Sequence, residues 1–279
     1  MKTSCNVCWR CCRLEEGQTG ACGVRRNEGG IITASNYGKL TALALDPIEK
    51  KPLARFYPGS MILSVGSYGC SLFCPFCQNY EIAAAREPGV ETVRYRPEEL
   101  CDLALDLVPR GNIGIAFTYN EPLVGWEFVR DTADLFHRND MKTVLVSNGM
   151  ASQEILGEIL PHIDAMNIDL KGFTQEFYRD FVGGDLEMVK DFIRTAADSC
   201  HVEVTKLIIP EKNDSDEEMR RMAEWIASLR GGKGRNIPLH VSRYFPRYKW
   251  KAPATPVKTV YRLAEVARET LDYVYTGNC

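Results

Sequence analysis

The sequence predicts an α/β protein in which an open (β/α)6 partial TIM-like barrel follows a small Cys-rich N-terminal subdomain. After residue 60, short β-branched runs alternate with stretches of helical periodicity. Strict alternation of strand and helix favours βαβ units around a parallel sheet. Six predicted strands are too few for a closed eight-stranded barrel. We place the boundary at residue 55, so that the subdomain is 1–55 and the barrel is 56–279.

Each barrel element follows from its local pattern. Apolar, β-branched runs bounded by turn residues predict strands at Met61–Val65, Ile113–Thr118, Thr143–Ser147, Ala165–Leu170, Val202–Ile209 and Pro238–Tyr244. Apolar residues at helical spacing predict helices at Glu98–Val108, Leu123–Arg138, Gln153–Leu160, Leu186–Ser199, Asp216–Leu229 and Val257–Thr270. In such barrels the active site gathers at the carboxyl ends of the strands.

The N-terminal subdomain contains the spacing Cys5-x2-Cys8-x3-Cys12-x9-Cys22. Four thiolates are enough to close a tetrahedral zinc site or to hold a second iron–sulfur cluster. A metal with four protein ligands has no open position, so a structural or electron-relay role is expected. Cys11 is a spare that could replace Cys12, and free thiols are the alternative. A polar, hairpin-like segment follows near 31–45, and residues 46–53 join it to the barrel.

Composition excludes several classes of protein. With 279 residues, 45% of them hydrophobic and 25% charged, the chain is an ordinary globular protein. Its net charge of −3 argues against strong general binding of nucleic acid. The sequence has neither a secretory signal nor an apolar run long enough to span a membrane. We therefore expect a cytoplasmic protein with reduced thiols, in which clustered cysteines are metal ligands or catalytic groups.

Three cysteines stand close together after the first barrel strand, at Cys70, Cys74 and Cys77. Cysteine thiolates hold iron–sulfur clusters, and a cubane usually takes four of them. Three protein ligands leave one iron open to another molecule. The alternative is a structural zinc site, which needs a fourth Cys or His nearby, and the nearest His in sequence is His137.

Polar residues follow the next two predicted strands. Asn120 and Glu121 end the second strand and offer acceptors for a protonated amine, although Asn120 could simply cap a helix. Ser147 and Asn148 end the third strand before Gly149. That glycine suits a turn with positive φ, and an ordinary strand-to-helix turn is the competing explanation.

Later strands supply further candidates. Period-two geometry places Asp169 and Lys171 on one face of the fourth strand, together with Asn167. Buried polar groups need partners, so an Asp–Lys ion pair is one explanation and a site for a ligand is the other. The fifth strand offers an inward Lys206 or Thr205 as an active-site group.

The sixth predicted strand places His240, Ser242 and Tyr244 on one face. Histidine is the side chain most easily tuned to exchange protons near neutral pH. A single His on a strand can also be a satisfied core group. We list His240 and Lys206 as candidate catalytic residues.

Several motifs together resemble the radical S-adenosylmethionine (SAM) enzyme of the AmmeMemoRadiSam system, which is related to pyruvate formate-lyase-activating enzymes. The likeness covers nearly the whole chain. It rests on Cys12-x-Leu14-x-Glu16-Gly17-x2-Gly20-x-Cys22-x-Val24-Arg25, Asp46-Pro47-Ile48-Glu49-Lys50-Lys51-Pro52-Leu53, Cys74-Pro75-Phe76-Cys77-Gln78-Asn79 and His240-x-Ser242-Arg243-Tyr244-x-Pro246.

The resemblance implies a [4Fe–4S] cluster on the three barrel cysteines, with SAM chelating the open iron. The implied reaction is reductive cleavage of SAM to a 5′-deoxyadenosyl radical that abstracts hydrogen from an unidentified substrate. Asn120 and Glu121 would receive the amino group of SAM, and Ser147 and Asn148 would contact its ribose or carboxylate. The triplet from Asp169 to Lys171 matches one in glycyl-radical-enzyme activases, which implies a role near SAM or substrate.

The implied partners are SAM, an electron donor such as flavodoxin or ferredoxin, and a substrate that could be a protein. Two alternatives remain open at this stage. The first is an enzyme that activates a glycyl radical enzyme by removing hydrogen from one of its glycines. The second, from a different class, is a zinc-stabilised interaction protein in which all the cysteines are structural.

Overall fold

A computed structural model describes residues 2–279 of the chain. Its strands are β1 (Thr3–Ser4), β2 (Arg13–Leu14), β3 (Arg25–Glu28), β4 (Ile31–Ala34), β5 (Lys39–Leu40), β6 (Ala42–Pro47), β7 (Met61–Gly66), β8 (Val93–Arg94), β9 (Asn112–Phe117), β10 (Lys142–Ser147), β11 (Ala165–Asp169), β12 (His201–Ile208), β13 (Leu239–Arg243) and β14 (Val274–Gly277). Its α-helices are α1 (Tyr80–Ala83), α2 (Pro97–Asp106), α3 (Trp126–His137), α4 (Gln153–Ile159), α5 (Leu186–Ala197), α6 (Asp216–Gly232) and α7 (Val257–Arg268).

One eight-stranded sheet forms the centre of the molecule, in the order β14-β13-β12-β11-β10-β9-β7-β6. Seven of its strands run parallel, and β6 pairs antiparallel with β7 at one edge. All six predicted strands are present in this sheet. The sequence did not predict β6 or β14, which form its two edges.

The helices lie between successive parallel strands, as the alternating pattern predicts, and their ends follow local capping rules. Ser152, Asp185 and Ser215 precede α4, α5 and α6, and each side chain accepts a hydrogen bond from a backbone N–H in the first helical turn. In α5 the apolar side chains recur at helical spacing and pack into the core. The regular part of α6 ends near Leu229, where the backbone leaves helical geometry.

The central sheet curves around one side. Residues that follow the first parallel strand and residues at the end of β14 line the same cavity, which a flat sheet of this width would keep apart. This is the open partial barrel that the sequence predicts. The N-terminal segment adds two small antiparallel pairs, β1 with β2 and β3 with β4. Within residues 2–279, no helix combines the length and apolar character needed to cross a membrane.

Candidate active site

A cavity of about 340 Å³ opens at the carboxyl ends of the parallel strands. This volume is within the range of small-molecule sites. Its lining combines the three barrel cysteines with polar residues from every neighbouring strand end. The functional candidates in that lining are Cys70, Cys74, Cys77, Asn120, Glu121, Ser147, Asn148, Asp169, Lys171 and Thr205.

The loop that carries the three cysteines is tethered from several directions. The N–H of Phe73 donates to the carbonyl of Val182 at 2.8 Å, and two N–H groups of the segment 249–250 donate to Pro75 O at 2.9 Å. The sulfur of Cys70 accepts hydrogen bonds from Leu72 N–H at 3.4 Å and from the Asn148 amide at 3.5 Å. Donors of this kind stabilise the negative charge of a thiolate sulfur, which is the form in which cysteine binds a cluster.

The three thiols lie where a free thiolate is unfavourable and a metal-bound thiolate is favoured. Burial raises the pKa of the Cys74 thiol to about 12, and it also raises the pKa values of Cys70 and Cys77. Thiolates in such a place require a cationic partner. Within residues 2–279, no three His, Cys, Asp or Glu side chains converge closely enough to bind one metal ion. The ligands of a cluster bind different irons and need not converge on one point.

Glu121 is the most completely buried carboxylate of the cavity, with 3% of its surface exposed. It accepts hydrogen bonds from Leu123 N–H at 3.0 Å, from the Ser147 hydroxyl at 2.9 Å and from Asn148 N–H at 2.8 Å. Burial raises its pKa to about 7, against the lowering effect of those donors. Three donors leave the carboxylate with capacity for one more, and the bond from Leu123 also makes Glu121 the cap of the short helix Pro122–Gly125.

The side chain of Asn120 binds the backbone of the cysteine loop. Its Oδ1 accepts from Ser67 N–H at 2.9 Å, and its Nδ2 donates to the carbonyls of Tyr68 and Gly69 at 3.1 Å each. These bonds hold the backbone immediately before Cys70. Asn120 also lines the cavity, and its predicted contact with a ligand stays a prediction.

The turn after β10 connects the cavity to the cysteine loop. Asn148 donates to the Ser71 hydroxyl at 3.2 Å as well as to Cys70, and Ser147 is bonded to Glu121. Gly149 has φ +68°, as the polar turn predicts. The sequence candidates at the ends of the second and third predicted strands are therefore joined in one hydrogen-bonded group beside the cysteines.

Asp169 and Lys171 form an ion pair at 2.8 Å at the end of β11 and line the cavity. Burial acts to lower the pKa of Lys171, but Asp169 and Cys74 outweigh it and raise that pKa overall. The ion pair predicted from the sequence is therefore present, and a role of the pair in binding a ligand stays a prediction that its place in the cavity lining allows.

Lys206, a candidate catalytic residue, does not line the cavity. Successive side chains of a strand point to opposite faces, and Thr205 is the one that lines the cavity. The ammonium of Lys206 is fully buried on the outer side of the sheet, 2.5 Å from the Glu218 carboxylate of α6. This pairing satisfies the charge of Lys206 away from the cavity.

His240 faces the barrel interior but does not line the cavity, because it lies two residues before Ser242 on β13 and so farther from the carboxyl end of that strand. Its Nε2 is 2.6 Å from the Glu203 carboxylate, and its ring stacks on Tyr275. Glu203 also binds His201 and the N–H groups of Ala54 and Arg55. Ser242, two residues further along β13, is the residue of that face that lines the cavity. In this structure His240 is thus a hydrogen-bonded interior histidine that does not line the cavity.

A cluster of Asp46, Lys51 and Tyr119, which the sequence did not predict, adjoins the cavity, and Lys51 and Tyr119 line it. Tyr119 donates to Asp46 at 2.6 Å, Lys51 binds the same carboxylate at 2.9 Å, and the Lys51 ammonium lies 4.6 Å from the Tyr119 ring centre. Burial acts to raise the pKa of Asp46, but these two donors hold it at about 2. Asp46 and Lys51 belong to the segment interpreted as a connector. Its dense charge was the signal that could have revealed the cluster.

Tyr119 also has a strained backbone, with φ +73°. Left-handed φ values are uncommon for aromatic residues and often mark functional sites. In this chain the tyrosine ring packs over Gly66, and contacts with Asp46 and Lys51 hold it there.

Comparison with protein families decides the identity of this arrangement. Residues 64–226 match the model of the Radical SAM superfamily. The chain belongs to the radical SAM superfamily. It is therefore an enzyme, its family implies a [4Fe–4S] cluster and SAM, and the interpretation as a zinc-stabilised interaction protein no longer has support.

Individual relatives agree with this family. The uncharacterized protein MJ0808 of Methanocaldococcus jannaschii is 39% identical over 99% of this chain and 81% of its own length. The pyruvate formate-lyase-activating enzyme of Clostridium pasteurianum is 27% identical over 62% of this radical SAM chain and 72% of its own length. A crystal structure of Streptococcus suis SuiB bound to the precursor peptide SuiA superposes with a TM-score of 0.60, at 14% identity, over 83% of this chain and 51% of that one.

Proposed function

We propose that the protein binds a [4Fe–4S] cluster on Cys70, Cys74 and Cys77 and cleaves SAM reductively beside it. One observation carries the proposal: the three thiols and the SAM-site candidates line a single cavity at the carboxyl ends of the strands. When bound, the cluster supplies an electron that splits the sulfonium of SAM, and the 5′-deoxyadenosyl radical so released abstracts hydrogen from the substrate.

The chain's own residues orient SAM and shield it. Glu121 has one free acceptor position and accepts a hydrogen bond from the protonated amino group of SAM. Lys171 has ammonium hydrogens beyond the one bound to Asp169 and donates to the carboxylate of SAM. The donors of Ser147 and Asn148 are bound to Glu121, Cys70 and Ser71, so these two residues contact the ribose through their side-chain oxygens. Asn120 acts indirectly, because it fixes the backbone that presents Cys70.

We propose a polypeptide as the substrate. The named relatives support this, since one activates pyruvate formate-lyase and another binds a precursor peptide. The similarity to the activating enzyme favours one particular form of the proposal, in which the hydrogen is taken from a glycine of a partner enzyme. Incubation with SAM, a reductant and purified pyruvate formate-lyase of Clostridium pasteurianum would then produce a glycine-centred EPR signal. The absence of that signal would contradict this form of the proposal.

A second cavity, of about 220 Å³, lies on the outer side of the cysteine loop. The three barrel cysteines line it, and so do the basic residues Arg86 and Lys249. A flavodoxin or a ferredoxin is the proposed electron donor, and basic groups beside the cluster would favour an acidic protein surface. The proposal also includes a second metal, zinc or iron–sulfur, in the N-terminal segment.

The experiment is EPR spectroscopy of anaerobically purified, reduced protein with and without SAM. We expect a cluster signal that changes when SAM is added. Cys74→Ala should lose the signal and the corresponding iron and sulfide. Cys101→Ala is the matched control, because Cys101 is buried in α2 and does not line the cavity. Equal iron and sulfide in the two variants would contradict the proposed site.

A further inference from the structure

Four cysteines of the N-terminal segment converge on one small cavity. They are the residues with the spacing noted in the sequence: Cys5, Cys8, Cys12 and Cys22. Cys11, the spare in the sequence analysis, is exposed and does not line this cavity. The fold therefore places these four thiols at the cavity and leaves the thiol of Cys11 exposed.

Local backbone structure brings the four together. β1 pairs with β2, and Cys5 N–H donates to Cys12 O at 2.8 Å. Cys11 adopts φ +41° between Cys8 and Cys12, which turns the chain back on itself. Gly20 lies beside this turn, since a Cβ at that position would be in ordinary van der Waals contact with Cys12 Sγ, at 3.7 Å.

Arg25 provides an independent sign of a missing ligand. It lines the cavity and is 5% exposed. Its Nη1 binds both carboxylate oxygens of Glu127 at 2.7 Å, yet its buried Nε has no hydrogen-bond partner among residues 2–279. The N–H of Arg25 already donates to Cys22 Sγ at 3.4 Å. Buried donors without acceptors are rare in folded proteins, and an anionic metal–thiolate group would supply an acceptor.

We propose that Cys5, Cys8, Cys12 and Cys22 form a closed tetrathiolate metal centre that also supports the catalytic cysteine loop. Four thiolates around a divalent ion, or at the corners of a cluster, carry the negative charge that Arg25 complements. The four sulfurs do not have single-ion spacing in the structure. Binding therefore requires cysteine side chains to rotate about their Cα–Cβ bonds.

The link to the catalytic loop runs through Cys22. Its carbonyl accepts the N–H of Cys70 at 3.3 Å. It also packs against Gly69, where an added Cβ would lie 2.8 Å from that carbonyl and 2.4 Å from a methyl of Val24. Fixing Cys22 to a metal would fix the backbone that presents Cys70. This supporting role rests on the proposed function of the barrel cysteines, whereas metal binding by the four N-terminal cysteines does not depend on the barrel cluster.

The first test measures zinc, iron and sulfide in full-length protein purified anaerobically, in which Cys70, Cys74 and Cys77 are all replaced by Ala. We expect this protein to keep one metal centre per chain. Zinc without sulfide would identify a single ion, and iron with sulfide would identify a cluster. Metal at background level in folded protein would overturn the proposal. Metal retained without the three barrel cysteines, together with no cluster in the wild type, would instead refute only the proposed function.

A matched pair of variants tests the ligand set and the coupling, and it remains informative if the triple variant does not fold. Cys12→Ser removes a proposed ligand, and Cys11→Ser changes its exposed neighbour. We expect Cys12→Ser alone to lose the N-terminal metal. We also expect it to lose catalytic iron several times faster under chelator than Cys11→Ser does. Equal metal content in the two variants would overturn the proposed centre, and equal rates of iron loss would overturn its supporting role.

Discussion

We predict that the buried carboxylate of Glu121 makes the binding of SAM depend on pH, because it is the proposed acceptor for the amino group of SAM. Burial raises the pKa of this group to about 7 before SAM binds, whereas the ammonium of bound SAM would require the ionised form. SAM binding at acidic pH must therefore release a proton from Glu121, and this requirement weakens the observed affinity. The affinity should rise with pH until the carboxyl is ionised in the free enzyme.

The size of the effect follows from that pKa. The observed dissociation constant is multiplied by one plus the ratio of protonated to ionised Glu121. With a pKa of about 7, the constant at pH 5.5 should be about 15 times its value at pH 7. An α-amino group keeps most of its charge over this interval. Glu121→Gln removes the titration, and the lost charge-assisted bond should weaken binding at pH 7 by about 10- to 100-fold.

Anaerobic isothermal titration calorimetry of SAM into the cluster-loaded enzyme can measure both effects. Repeating the titration in buffers of different ionisation enthalpy would report the released proton directly. Thr205→Val is a suitable control, because Thr205 lines the cavity and bonds Asn167 without contacting Glu121. The reasoning fails if wild type and Glu121→Gln show the same dependence of affinity on pH.

Three further substitutions test whether a residue stabilises the fold or takes part in SAM binding and cleavage. Lys206→Met leaves the Glu218 carboxylate buried and unpaired, so urea unfolding should show a loss of about 3 to 5 kcal/mol, with SAM cleavage by the folded protein unchanged; lost cleavage would return Lys206 to the active site. His240→Ala should lower stability by about 1 to 3 kcal/mol without weakening SAM binding, and a weaker SAM affinity would contradict its deeper position. Tyr119→Phe removes the bond to Asp46 and should cost about 1 to 3 kcal/mol in urea unfolding; an unchanged stability would show that this bond does not restrain the strained turn.

The sequence was most informative about the interior strands. Strands buried on both faces are nearly continuous β-branched runs, and the six predicted ones agree with the structure to within about two residues at each end. The two edge strands lack that signal. β6 ends in Asp46-Pro47, a dipeptide typical of a turn, and β14 is four residues long and ends in glycine. Their place in the sheet depends on partners that are distant in sequence.

Periodicity shows which residues share a face of a strand, but not which face looks inward. Thr205 and Lys206 are both polar, and the decision depends on Glu218 in a helix that packs against the strand. The sequence also does not show how deep in the barrel a side chain lies. His240 and Ser242 share a face, yet Glu203 holds the histidine one layer below the cavity.

The same limit applies to the choice between adjacent or chemically similar groups. An amide beside a carboxylate predicts a ligand contact equally well for Asn120 and Glu121, but only the fold shows that Asn120 binds the backbone before Cys70. Spacing allowed either Cys11 or Cys12 as a metal ligand. The left-handed backbone at Cys11 places it outside the cavity, and no composition rule would have predicted that.

The most direct test of the central claim is the formation of 5′-deoxyadenosine. Wild-type protein, purified and reconstituted anaerobically, would be mixed with SAM and a strong reductant, and the products would be quantified by mass spectrometry beside Cys74→Ala and Cys101→Ala. We predict 5′-deoxyadenosine and methionine from wild type and Cys101→Ala and neither above background from Cys74→Ala. Iron-loaded wild type that leaves SAM intact, or equal product from all three proteins, would contradict the claim that Cys70, Cys74 and Cys77 anchor a SAM-cleaving centre.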